Sequence, residues 1–206
     1  MKKIYPEPTQ PSTLTSKHRR NATTTRQAIL DSARILFTQK GYSDVGVREI
    51  AENAGVTAML VNRYFGSKEK LFEVVITETL SKPGVLRSSL GDSEHSHDLT
   101  AKSMATKLLE TSNPSNNADG ILILLRSAGN AQAAKILQNV AIRDLNPLCS
   151  LFEGKNSEVR AALCIALISG FKLMRQVISL PSLTDPAPCI IEDQVALLFK
   201  ILISKQ

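Results

Sequence analysis

The sequence has no tryptophan, and aromatic residues make up only 4% of its 206 residues. Its three cysteines, Cys149, Cys164 and Cys189, are scattered and odd in number. They indicate reduced residues in the core of a cytoplasmic protein rather than a disulfide framework. No apolar run approaches the roughly 20 residues that a membrane-spanning helix needs. The polar, proline-containing N-terminus also lacks the apolar centre of a secretion signal.

The motifs of several enzyme classes are missing as well. We find no glycine loop for phosphates, no metal-binding helix motif and no nucleophile elbow. His95 and His97 alternate with Asp92, Glu94 and Asp98, but such spacing on a polar segment is more typical of a solvated loop than of a metal site. The sequence therefore predicts no enzyme, no metal and no cofactor, and the role of the His95 and His97 segment stays open.

Positive charge is concentrated at one end of the chain. The net charge is +6, and through Lys70 there are twelve Lys and Arg against six Asp and Glu. The remaining residues contain thirteen of each and are neutral. An enzyme would leave this distribution unexplained. It predicts a polyanionic partner for the N-terminal part alone.

Residues 47–72 carry the pattern of a helix, a tight turn, a second helix and the start of a third. Apolar residues recur at helical spacing on one side of each helix, and Gly55 stands where a positive φ is needed. Thr57 is expected to cap the second helix through its hydroxyl. The outward residues of that helix suit base edges and phosphates in a major groove. They are Ala58, Met59, Asn62, Arg63 and Tyr64.

On spacing alone, any helical hairpin with a glycine turn would fit this segment. Its detailed residues favour one family. They are Arg48-Glu49-Ile50-Ala51, Ala54-Gly55-Val56, Tyr64-Phe65 and Gly66-Ser67-Lys68-Glu69-Lys70-Leu71. The segment resembles the DNA-binding region of the tetracycline-repressor (TetR-type) family. Two departures are that Val45-Gly46 replaces the Thr or Ser usual before the second helix, and that Asn62 stands where Tyr is common.

The resemblance implies roles for particular residues. Arg48 matches a position that contacts bases, and Lys68 lies beside the expected DNA backbone. The predicted DNA-binding set is Arg48, Thr57, Ala58, Met59, Asn62, Arg63, Tyr64 and Lys68. The alternative for Arg48 is a surface ion pair with Glu52, four residues on.

We predict an all-α protein with four segments. Residues 1–24 would be a disordered arm whose basic cluster of Lys17, His18, Arg19 and Arg20 is either a solvated tail or a DNA contact. Residues 25–80 would form the DNA-binding domain, with a first helix from about Thr25 to Lys40. Residues 81–98 would be a linker, and residues 99–206 would bind an effector and form a dimer.

Small residues recur every four positions in the C-terminal half, and such a row lets another helix approach closely. The predicted dimer interface comprises Ala162, Ala166, Gly170, Met174, Ile191, Val195 and Leu198. The resemblance implies a four-helix interface made by the last two long helices of each subunit. Residues 121–125 are all aliphatic and form either a dry core or the wall of a ligand cavity.

The leading interpretation is a dimeric, sequence-specific transcriptional regulator. The resemblance implies a repressor that binds an inverted-repeat operator and is released by a small-molecule effector held among residues 99–171. The sequence does not identify the effector, its binding residues, the operator or the regulated genes, and activation stays open. The alternative is a helical adaptor that binds protein without DNA specificity.

Overall fold

The computed structural model describes residues 13–80, 97–113, 118–149, 152 and 154–204. Within these residues every regular element is a helix, which confirms the all-α prediction. The N-terminal helices are α1 (Thr13–Lys40), α2 (Val47–Asn53), α3 (Ala58–Phe65) and α4 (Lys68–Leu80). They are followed by α5 (His97–Thr111), α6 (Asp119–Ser127), α7 (Ala131–Cys149), α8 (Ser157–Lys172), α9 (Pro181–Thr184) and α10 (Pro188–Ile203). A π-helical turn, Leu173–Val177, continues α8.

The first helix begins at Thr13, well before the predicted start at Thr25. Residues 13–24 are therefore helical, and the prediction of a disordered arm over these positions was wrong. The physical reason is that the last proline before this helix is Pro11 and that no glycine interrupts residues 12–40. The helix ends at Lys40 as expected, and Gly41 follows with a φ of +77°.

A first core joins the N-terminal helices to part of the C-terminal half. Its aromatic centre is Phe37, Tyr42 and Phe72, and the rings of Phe37 and Phe72 meet edge to face at 5.0 Å. Ile123 of α6 and residues of α7 lie in the same cluster, namely Ala133, Leu137 and Val140. Helices α1 and α4 pack against α6 and α7, and they also pack against α2 and α3, so they connect the helix-turn-helix to this part of the C-terminal half.

A second core lies between α5, α8 and α10. It is built from Met104 and Leu108, Cys164 and Phe171, and Val195 and Phe199, among others. Two buried arginines lie at the edges of this core. Arg160 donates to the carbonyl of Ser204 at 2.7 Å and to that of Leu202 at 3.3 Å, at the end of α10. Arg175 donates to the carbonyl of Leu109 at 3.2 Å, near the end of α5.

The predicted linker is shorter than residues 81–98, because α5 begins at His97. His95 and its neighbours Asp92 and Glu94 lie outside the described residues. Within the described part of the chain, no group of three or more His, Cys, Asp or Glu side chains could hold a metal ion. No helix in the described ranges is both long and apolar enough to cross a membrane.

The cysteines do not all belong to the core as predicted. Cys164 is fully buried, and burial raises the pKa of its thiol to about 12. Cys149 is half-buried, and Cys189 in the first turn of α10 is exposed. The sequence did not distinguish the two sides of α10, both of which carry apolar residues.

Candidate functional site

Helices α2 and α3 and the four residues between them form the predicted helix-turn-helix. Gly55 has a φ of +67°, a conformation that favours glycine. The Val56 N–H donates to the carbonyl of Ala51 at 2.9 Å, which closes the end of α2. Val61 and Phe65 are buried on the inner side of α3, as the spacing predicted.

The start of α3 departs from expectation. Thr57 occupies the N-cap position with an extended backbone, but its side chain makes no capping hydrogen bond. The predicted cap through the hydroxyl was therefore wrong. Thr57 is exposed, so the hydroxyl lies on the outer surface at the beginning of the helix.

The outer side of α3 presents fewer residues than predicted. Met59 is 80% exposed, and Asn62 and Arg63 are also exposed. Ala58 and Tyr64 are half-buried and pack against the first core, so each offers only part of its surface. The side available to a partner is thus apolar at Met59, amide-bearing at Asn62 and cationic at Arg63.

Arg48 lies in the first turn of α2 and is exposed. Among the described residues, no ion pair joins it to Glu52, so its predicted alternative role is absent. Gly46 is the N-cap of α2 and provides no side-chain cap. The helix is held instead by the Ser32 hydroxyl, which donates to the Ile50 carbonyl at 2.9 Å, and by an ion pair between Lys40 and Glu49.

Lys68 opens α4, and its ammonium lies 4.2 Å from the centre of the Tyr42 ring. A cation over an aromatic face is attracted by the ring's quadrupole. Burial lowers the pKa of Lys68, while the negative charges of Glu69 and Asp44 act in the opposite direction. The cation is therefore held at the start of α4 instead of extending freely into solvent.

Glu69 links this cation to the rest of the site. Its Oε1 accepts hydrogen bonds from the Tyr42 hydroxyl and from Gln132 Nε2, both at 3.1 Å. The Ser67 hydroxyl and the backbone N–H of Glu69 itself also help to hold the pKa of this carboxyl below its usual range. Burial and the Glu69 carboxylate raise the pKa of Tyr42 to about 12. At neutral pH the phenol is protonated and the carboxylate charged, as the bond requires.

Ser67 caps α4, because its Oγ accepts a hydrogen bond from the Lys70 N–H at 3.3 Å. The sequence did not predict the bond from Gln132 to Glu69 or the guanidinium of Arg26 that lies 5.0 Å from the centre of the Phe65 ring. The residues of each contact are far apart in the chain, so no local pattern indicated them.

The last long helices expose an apolar surface. Ala162, Ala166, Gly170 and Met174 lie on the exposed side of α8 and its π-helical continuation. Further exposed apolar residues are Val159 and Leu163 on α8 and Leu197, Leu198 and Ile201 on α10. Ile191 and Val195 are only 6% and 5% exposed, because they pack in the subunit's own second core. Within the subunit they are therefore covered by its own helices, and their assignment to a dimer interface stays a prediction.

A cavity of about 290 Å³ lies between α1, α4 and the start of α6. Of the residues that line it, only Asp119 and Gly120 fall within the predicted effector region of residues 99–171. The others include Asp31, Arg34 and Glu78, so the cavity is strongly charged. In the aliphatic segment at residues 121–125, Ile121 and Ile123 are buried, whereas Leu125 is 48% exposed, so the segment is not enclosed on all sides.

Two family models match the chain. Residues 29–75 match the model of bacterial regulatory proteins of the tetR family. Residues 98–202, more than half of the chain, match a tetracyclin repressor-like C-terminal domain. The first core contains residues of both matched segments, whereas the second core belongs to the C-terminal one.

Among curated relatives, the HTH-type transcriptional repressor AcnR of Corynebacterium efficiens is 34% identical over 96 residues, which cover 42% of this chain and 51% of AcnR. The probable HTH-type transcriptional regulator YttP of Bacillus subtilis is 43% identical over 54 residues, 26% of each chain. The matched segments thus span about a quarter to a half of these relatives.

Solved structures resemble the chain over most of its length. Salmonella enterica GusR superposes with a TM-score of 0.67 at 18% identity, covering 87% of this chain and 95% of GusR. NalD, the secondary repressor of the MexAB-OprM efflux pump in Pseudomonas aeruginosa, superposes with a TM-score of 0.60 at 21% identity, covering 90% of this chain and 99% of NalD. At this identity the likeness concerns the fold. Together with the two family models, it shows that the chain belongs to the tetR family of bacterial regulatory proteins.

Proposed function

We propose that the protein is a transcriptional regulator that binds an inverted-repeat operator as a dimer. The observation that carries the proposal is the exposure of polar and cationic side chains at the start of α2 and on the outer side of α3, with the half-buried Lys68 at the start of α4. The side chains are those of Arg48, Asn62, Arg63 and Lys68, in the part of the chain that holds all of the excess positive charge. An arginine guanidinium or an asparagine amide can form two hydrogen bonds with the edge of one base, and a lysine ammonium binds phosphate.

The exposed apolar side of α8 and α10 supports the dimer. A row formed by Ala162, Ala166 and Gly170 permits close helix approach, and exposed Leu163, Leu198 and Ile201 would leave water on association. Two copies of the helix-turn-helix would then read two half-sites. The two-fold symmetry of the protein would be matched by the symmetry of the operator.

Repression is the favoured direction of control, since relatives and neighbours such as AcnR and NalD are named repressors. A small-molecule effector would act by preferring one conformation of the dimer. To shift the dimer from 99% in one conformation to 99% in the other, the effector must bind the second conformation more strongly by about 5.5 kcal/mol. The packing of α6 and α7 in one core with α1 and α4 provides the physical connection, because movement of either helix changes the support of the DNA-binding surface.

The proposal can be tested by selecting genomic fragments that the purified protein retains and by footprinting them. We expect an inverted repeat whose half-sites lie on successive major grooves, roughly 34–36 Å apart or a little more. Protection without any repeat, or retention of fragments at random, would contradict the proposal. A protein adaptor, the alternative function, would show no steep decrease of DNA retention as the salt concentration rises.

A further inference from the structure

Gln132 is placed at the junction between the C-terminal half and the start of α4. It lies in the first turn of α7, where the side chain of Asn130 accepts hydrogen bonds from the backbone N–H groups of Gln132 and Ala133, both at 3.0 Å. Asn130 in turn donates to Ser43 Oγ at 3.2 Å. The start of α7 is therefore fixed against the corner that follows α1.

The carboxylate of Glu69 connects the first turns of α4 and α7. It belongs to the first turn of α4, and it accepts a hydrogen bond from the side-chain amide of Gln132 in the first turn of α7. A negative charge is stabilised at the positive end of a helix dipole, so α4 favours the carboxylate at this point. Its oxygen Oε1 accepts from Tyr42 and Gln132 together, so one carboxylate oxygen joins Gln132 to the phenol whose ring lies beneath the Lys68 ammonium.

We propose that Gln132 is a positioning residue for the DNA contact of Lys68, acting through the hydrogen bonds of Glu69 and Tyr42. This inference rests on the proposed contact between Lys68 and a DNA phosphate. A lysine that is already held in place loses less side-chain freedom on binding than one that moves freely. By holding Glu69, Gln132 keeps the first turn of α4 and its cation in one arrangement. The amide thus contributes to DNA affinity from a helix outside the helix-turn-helix.

The test compares Gln132→Leu with wild type on a 30-base-pair duplex of random sequence, because a phosphate contact does not depend on sequence. Leucine keeps much of the side-chain bulk and removes the amide donor. We expect roughly two- to tenfold weaker binding, as for a side chain that must be ordered on association, and a shallower dependence of affinity on salt. Gln138→Leu, an exposed glutamine of the same helix, is the matched control and should leave both unchanged.

The decisive measurement adds Lys68→Gln. That variant alone should weaken binding and reduce the salt slope by about 0.9 for each phosphate that is no longer neutralised. If Gln132 acts through Lys68, Gln132→Leu should have no further effect in the Lys68→Gln background, whereas a purely structural role would weaken both backgrounds equally. Thermal melting of each variant verifies folding, and Gln132→Ala serves if the leucine variant is unstable.

The outcomes separate this inference from the proposed function. If Lys68→Gln weakens binding and Gln132→Leu does not, or if the two effects add, the role of Gln132 is refuted while the DNA contact stands. If Lys68→Gln itself leaves affinity and salt slope unchanged, the phosphate contact fails and the inference about Gln132 fails with it. An effect of Gln132→Leu that is seen with Lys68 present and disappears without it supports the proposal.

Discussion

At the scale of single residues, a substitution of Arg48 tests whether its guanidinium recognises a base or only contributes positive charge. Arg48→Ala should cost about 1–3 kcal/mol on a selected operator fragment and relax the preference at one base pair per half-site. Fluorescence anisotropy on operator variants measures both effects. Lys102→Ala removes one exposed positive charge from α5 and is the control for net charge. An Arg48→Ala protein that keeps its affinity and its base preference would show that α2 is placed wrongly on the DNA.

A substitution of Arg160 provides a test of folding stability. Arg160 is buried, and its guanidinium bonds two carbonyl groups at the end of α10. A hydrogen bond from a charged group contributes about 1.5–3 kcal/mol, so Arg160→Met should lower the free energy of unfolding by at least that amount. Urea denaturation gives the value. Lys155→Met, an exposed substitution nearby, should change stability by no more than about 0.5 kcal/mol; equal effects of the two would disprove the capping role.

At the scale of elements, Gly41 is the point where α1 meets α6. Its φ is +77°, and a Cβ atom there would lie 2.5 Å from the backbone oxygen of Arg126. Gly41→Ala should therefore destabilise the protein by more than the roughly 1–2 kcal/mol of a left-handed residue alone. Chemical denaturation with Gly129→Ala as the control provides the test, since Gly129 has an ordinary φ and open space around it. The control should be neutral or slightly stabilising.

The helical spacing of apolar residues explains how much of the fold was predictable. Val61 and Phe65 on α3, and Leu71 and Phe72 on α4, are buried as their spacing predicted, because each short helix has a single apolar side. Helix α10 is apolar on two sides, so periodicity could not tell the side that faces its own core from the side that is exposed. For that reason the burial of Ile191 and Val195 in the subunit's own second core was not predicted.

Contacts between distant residues were beyond sequence reasoning. Tyr42 donates its backbone N–H to the hydroxyl of Ser127, 85 residues away, at 3.0 Å, and Gln132 reaches Glu69 across 63 residues. Each depends on how α6 and α7 pack against α1 and α4, which no local spacing describes. The helix-turn-helix was largely predictable because its residues lie within one short segment, whereas residues that pack against its neighbouring helices come from another part of the chain.

At the scale of the whole molecule, a substitution of Gly170 can disturb association of two subunits without disturbing the fold of either. Gly170 is exposed, and a Cβ atom at this position meets nothing within 4 Å in the subunit, so Gly170→Leu should leave the isolated subunit folded. In the proposed dimer the same side chain would overpack the interface at a cost of roughly 1–3 kcal/mol. Light scattering should show a shift towards monomer. Ala141→Leu on α7 is the control, and a wild-type protein that is monomeric at micromolar concentration would refute the interface.

The first core, shared by α1 to α4 with α6 and α7, determines where this protein can be recombined with its relatives. A chimera joined after Leu80 would place a foreign surface against Ile123, Ala133, Leu137 and Val140, and the two surfaces would not be complementary. A graft of new operator specificity is instead compatible with the core if it exchanges only the exposed residues of α2 and α3. The boundary visible in the sequence and the boundary suitable for engineering are therefore different.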